Sequence, residues 1–154
     1  MISINEIHPM LVHFPIVLWI SAEVIVISVL LRKGDPAARE HWPLTAFYSL
    51  LAGTVFAGLA ALFGDTAMEN AVAAGFNPAP MEAHETFAVL TLILFALHLL
   101  GRLAAIWRRT PLTGWRGWLA EVPGFAGLIL MFITAFLGGG LVYHLGVNVA
   151  KAAS

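Results

Sequence analysis

No cysteine occurs in the 154 residues. That excludes a disulfide framework, a thiolate metal site, an iron–sulfur cluster and a cysteine nucleophile. Charge is scarce too: 11% of the residues are Asp, Glu, Lys or Arg, against about a quarter in an average soluble domain. The net charge of -1 offers no basic face to neutralise phosphates, which excludes nucleic acid as a partner. The patterns of stand-alone enzymes are missing as well, with no HExxH, GxSxG, Walker loop or dinucleotide fingerprint. Ser21, Ser28 and Ser49 have no adjacent His and acid in sequence and read as small polar residues bonded to their own helix backbone. What is abundant is apolar: 60% of residues are hydrophobic and the mean hydropathy is +0.87. A water-soluble chain of 16.6 kDa has too much surface to hide that share, so the sequence reads as an integral membrane protein.

Four apolar stretches run over residues 9–31, 43–63, 86–107 and 118–143. Each reaches the roughly 20 residues a helix needs to cross the hydrocarbon. Spanning segments must satisfy their own backbone hydrogen bonds, so the expected fold is all-α, an antiparallel four-helix bundle forming one domain over residues 1–154. The first stretch does not read as a cleaved signal peptide, because its only early charge is Glu6 and its apolar run is too long. Between spans two and three, Asp65-Thr66 can cap a short helix through Ala74, ahead of the breaker run Asn77-Pro78-Ala79-Pro80. That connection reads as a lid over the bundle end or as a tether. Small residues recur at Gly53, Ala57, Ala60, Ala61 and Gly64, and again from Gly124 to Gly140. They suit close helix packing and also leave room for a flat cofactor.

Of the eight basic residues, Arg32, Lys33 and Arg39 lie between spans one and two, and Arg102, Arg108, Arg109 and Arg116 at or between the ends of spans three and four. Only Lys151 falls on the other side. The positive-inside rule places those two connections in the cytoplasm and both termini outside. Trp42, Trp107, Trp115 and Trp118 sit at the inner boundary, where interfacial anchors belong.

Ionisable groups inside a bilayer are costly and tend to be functional. His8 opens span one, His84 opens span three and His144 closes span four, while His13 lies about 7 Å below His8 on the helical rise. Three helices thus bring four imidazoles to one level. His8 and His13 are about 140° apart on a regular helix, so only one points into the bundle, and His13, the deeper, is expected to be the inward one. Two imidazoles on facing helices, His13 and His84, suit a haem b iron, since bis-His ligation needs no Cys and fits electron transfer. Gly139 and Gly140 would give the porphyrin room, Phe14, Phe87, Phe136 and Leu141 would wall it, and His8 and His144 would stand at its rim. The same cluster also suits copper or zinc, or a set of interfacial polar residues with no ligand.

His98 lies fourteen residues below His84, and Glu23 fifteen below His8. Both spans descend from the same face, so the two are expected at one depth, and a buried Glu wants a partner or a proton. A Glu23–His98 pair reads as a structural hydrogen bond or as part of a proton or quinone site, with Tyr48 and Ser49 near enough in depth to join. His41 is about 13 Å from His98 along the normal, which argues against a second haem between them.

His8-Pro9-Met10-Leu11-Val12-His13-Phe14-Pro15, Gly58 to Gly64-Asp65, His84, and Gly139-Gly140-Leu141-Val142-Tyr143-His144-Leu145-Gly146-Val147 together resemble a bacterial membrane family, domain of unknown function 2231. The likeness covers nearly the whole chain. It implies a four-helix inner-membrane domain, with His13 and His84 at the family's two most typical His positions and His8 and His144 at weaker ones. It also implies redox work beside a cytochrome c or Rieske module. The resulting expectation is a small b-type cytochrome passing electrons near the periplasmic face, more a carrier or subunit than an enzyme, with quinone as the other party. A scaffold subunit and a metal- or proton-handling protein remain the other readings, and the oligomeric state is left open.

Overall fold

The computed structural model describes residues 4–147 and 149. Among these every regular element is a helix: α1 (Ile4–Leu11), α2 (His13–Leu31), α3 (His41–Ala73), α4 (Pro78–Arg108), α5 (Trp115–Ala120) and α6 (Val122–Tyr143). Four rods are long and apolar enough to cross a membrane: Ile7–Leu31, His41–Ala73, Pro78–Arg108 and Trp115–Tyr143. The protein is therefore an all-α, four-helix membrane protein.

Two of the rods are interrupted, and proline explains both places. Pro15 has no N–H for the carbonyl of Leu11, so α1 gives way to α2 at Val12. Val12 keeps right-handed dihedrals and its N–H still reaches His8 O at 3.1 Å, so the rod is interrupted without ending. At Glu121, between α5 and α6, Pro123 in the first turn of α6 has the same effect.

The other two rods are longer than the bilayer requires. The 33 residues of α3 measure about 50 Å on the standard rise, some 20 Å more than the hydrocarbon core. The short helix expected after Asp65-Thr66 does not form as a separate element. Instead α3 runs straight through Gly64 and Asp65, so the N–H groups a cap would serve are already bonded within the helix. The turn comes at Gly75, whose φ of +93 favours glycine. Asn77 then caps α4 by accepting from Ala79 N at 3.1 Å, with Pro78 in the first turn. This overhanging hairpin has its own small core of Ala71, Met81 and Val147, with Leu141 packed against it.

The rods pack as two close pairs, α1 and α2 against α3, and α4 against α6, with α3 joining α4. Neighbouring axes in a bundle approach to about 8–10 Å, whereas rods on a diagonal are further apart and meet only through large side chains. Trp19 of α2 stacks on Phe95 of α4 with ring centroids 3.9 Å apart. Ala22, Leu50 and Met131 complete this central core. Glycine admits each ring: Gly53 lies under Trp19 and Gly127 under Phe95. The outside of the bundle is apolar, with Val17, Val24, Leu62, Leu97, Leu100, Ile129 and Phe132 exposed, as a surface facing lipid must be.

Gly53→Leu should lower stability by about 1–3 kcal/mol through overpacking, because its Cβ would stand 2.7 Å from Trp19 Cδ1. At Gly58 a Cβ would meet nothing within 4 Å, so Gly58→Ala should be neutral or stabilising. Thermal unfolding in detergent compares the two.

Candidate functional site

Ionisable residues gather at two levels, one at each end of the central stack. The first level lies towards the end where the chain begins. His8 Nδ1 is 2.7 Å from Ala60 O, and His84 Nδ1 is 3.0 Å from Thr134 O. A carbonyl only accepts, so each Nδ1 carries a proton and donates it. In the neutral ring the lone pair is then left on Nε2. Each imidazole is thus anchored to the neighbouring rod, His8 to α3 and His84 to α4's partner α6. The two rings face each other across the diagonal with centroids 6.3 Å apart and planes at 90°. Glycine again makes the space: a Cβ at Gly64 would lie 3.0 Å from His8 Nδ1, and one at Gly138 would lie 2.9 Å from His84 Cε1.

His8 is therefore the inward member of its pair, and His13, expected there, is exposed. The five-residue separation turns the two away from each other, and the contact of His8 with Gly64 and Ala60 decides which one faces in. His144 is exposed at the end of α6. Gly139 and Gly140, expected to open room for a cofactor, lie instead against Tyr143 and His144 of their own helix end. Of the expected walls, Phe136 is 82% exposed, and Phe14 is exposed and stacks on Phe56. Leu141 belongs to the overhang core.

The second level lies towards the end that carries the connections 32–40 and 109–114. His98 Nε2 is 3.4 Å from Glu23 Oε1 and 3.2 Å from Glu121 Oε2. Arg102 Nη1 is 3.4 Å from Glu121 Oε1, and its Nη2 donates to Pro36 O at 2.7 Å. All four side chains are buried to within 2%. Their placement follows from local structure. His98 and Arg102 are one turn apart on α4, Glu23 is one turn beyond Trp19 on α2, and Glu121 sits at the break before α6. Gly124 gives the Glu23 carboxylate its space, since any side chain there would overlap it. Glu23, His98 and Glu121 offer ligand atoms within 4.8 Å of one another.

The structure thus brings Glu23 and His98 together, as the depth comparison expects, and adds two residues that the sequence does not mark as partners. Arg102 reads there as an interfacial cation, and Glu121 carries no motif of its own. One signal is present: Arg102 follows His98 by four residues, and so shares its face of the helix. Tyr48, expected near the pair, is 59% exposed. Taking Arg102 into the bundle leaves Arg32, Lys33, Arg39, Arg108, Arg109 and Arg116 exposed at this end.

Arg102→Met should cost about 3–5 kcal/mol, because it strands the buried Glu121 carboxylate. Adding Glu121→Gln should recover a large part of that loss. Denaturant unfolding of the single and double variants checks this, and a double variant no more stable than Arg102→Met would refute it.

No curated protein and no solved structure matches the chain. The family described as "Predicted membrane protein (DUF2231)" matches residues 5–151. With four membrane-length helices and a match over nearly its full length, the chain belongs to the DUF2231 family of membrane proteins.

Proposed function

We propose that the protein is a membrane-embedded b-type cytochrome whose haem is held between His8 and His84. The observation that carries this reading is the pair of Nδ1–H donors fixed to backbone carbonyls. That arrangement orients each ring and leaves Nε2 as the ligand atom, which is how metal-binding histidines are prepared. The two rings stand 6.3 Å apart on different rods, and their Nε2 atoms would hold the iron. Gly64 and Gly138 keep both rings free of crowding on the side of the helices that hold them. Held by His8 and His84, haem would supply one-electron transfer. The protein's own part is to hold the imidazoles on two different rods, so that neither can swing away without breaking a hydrogen bond to a third or fourth.

The six exposed basic residues at the opposite end favour a cytoplasmic location for the connections 32–40 and 109–114. His8 and His84 would then lie near the periplasmic face of an inner membrane. From there they would exchange electrons with a cytochrome c or Rieske protein, and with quinone in the bilayer.

Reporters inserted near Pro36 and Thr113 should accordingly read as cytoplasmic, and one fused after Ser154 as periplasmic. The opposite pattern would move the His pair to the other face.

The reduced-minus-oxidised spectrum of the purified protein tests the haem. A haem b signal is expected in the wild type, with His8→Ala and His84→Ala each abolishing retention and His13→Ala preserving it. Stoichiometric copper or zinc in a colourless protein would replace haem with a bare metal on the same two nitrogens. A colourless and metal-free protein would leave a scaffold subunit.

A further inference from the structure

The cluster at the far end of the bundle stands independently of any haem, and its charge count is informative. Arg102 is always protonated. With Glu23 and Glu121 ionised, the group carries two negative charges and one positive before His98 is counted. α3 adds none: its buried residues at this end are Pro43, Ala46, Phe47, Leu50 and Gly53. A further charge at this end is Asp35, which is half-buried in the connection and accepts from Ala37 N at 2.8 Å and Leu112 N at 2.9 Å. An uncompensated charge buried at this depth is costly, so the group requires one more unit of positive charge. A divalent cation would overshoot to a net +1 and bring its charge against the Arg102 guanidinium. A single proton brings the sum to zero.

The geometry says where that proton belongs. His98 Nε2 lies between two carboxylates, but its N–H direction is aligned with neither, and it forms a hydrogen bond to neither. Glu23 Oε2 and Glu121 Oε2 are likewise fully buried without a hydrogen-bond partner. Arg102 occupies the other oxygen of Glu121, so Glu23 is the carboxylate free to respond. A cleft of about 230 Å³ lined by Asp35, Ala37, Ala38, Arg39, Ile106, Arg109 and Thr110 opens beside Pro36. The Pro36 carbonyl in turn holds Arg102.

We propose that Glu23, His98, Arg102 and Glu121 form a binding site for one exchangeable proton, held on His98 Nε2 and handed to Glu23. In the transfer the Nε2–H bond breaks and an O–H bond forms on Oε1. Imidazolium and carboxylate both become neutral, and the Glu121–Arg102 pair keeps its charges, so the group stays neutral throughout. Only release of the proton to water changes the net charge of the site.

Nitrogen-15 NMR of histidine-labelled protein in lipid nanodiscs tests this. At neutral pH His98 should show both ring nitrogens protonated. In Glu23→Gln, which removes one negative charge and keeps the side chain's shape, it should lose one proton and become a neutral ring. In His98→Gln the proton should move to a carboxyl group, giving an infrared carboxylic-acid band that disappears in the Glu23→Gln/His98→Gln double variant. A neutral His98 in the wild type overturns the proposal, and this outcome requires no variant to fold. So does a His98 charge state unmoved by Glu23→Gln. So does a stoichiometric divalent metal that is lost in His98→Gln, or a His98 signal that changes with sodium concentration at fixed pH.

Discussion

Burying the guanidinium of Arg102 sets the terms for one whole end of this bundle. An arginine cannot discard its charge, so once α4 carries it inward the rest of the structure must answer it. Glu121 supplies the counter-charge, and the carbonyl of Pro36 fills the second arm of the fork. Using Glu121 in turn fixes the start of α6 beside α4, and using Pro36 draws the first connection over the bundle end. Asp35 then ties that connection to the second one through Leu112 N. Such a network is a weak source of net stability, and here it joins α4 both to the start of α6 and to the first connection.

The diagonal from the first rod to the third organises the remainder. His8 meets His84, Trp19 meets Phe95 and Glu23 meets His98, in that order down the bundle. The adjacent rods contribute mostly space and anchors. Gly53 and Gly64 on α3, and Gly124, Gly127 and Gly138 on α6, each lie against a side chain of this seam. The small-residue stripes are thus explained residue by residue, as room for particular rings and one carboxylate.

Much of this was legible in the sequence. Uniform hydropathy marks the four spans, and counting residues from His8 and His84 puts Glu23 and His98 at one depth. Rotation about a helix is harder to read than depth along it. Whether His8 or His13 faces inward depends on the interruption at Val12 and on a glycine in another rod. Arg102 and Glu121 sit where interfacial charges also sit, and only packing separates a buried cation from a snorkelling one. The extension of α3 past Gly64 and Asp65 was hidden because both residues resemble a helix stop. Nothing local reveals that His8 packs on that glycine.

The stack of Trp19 on Phe95 has a consequence for the membrane as an electrical barrier. Phe95 is wholly buried and Trp19 nearly so, with Leu50 and Met131 around them. These side chains fill the middle of the bundle between the polar groups of its two ends, which lie about 20 Å apart on the helical rise. A membrane voltage, worth about 2.3 kcal/mol per charge for each 100 mV, would act on any charge carried past those rings. Glu23 and His98 lie on one side of that stack, and His8 and His84 on the other.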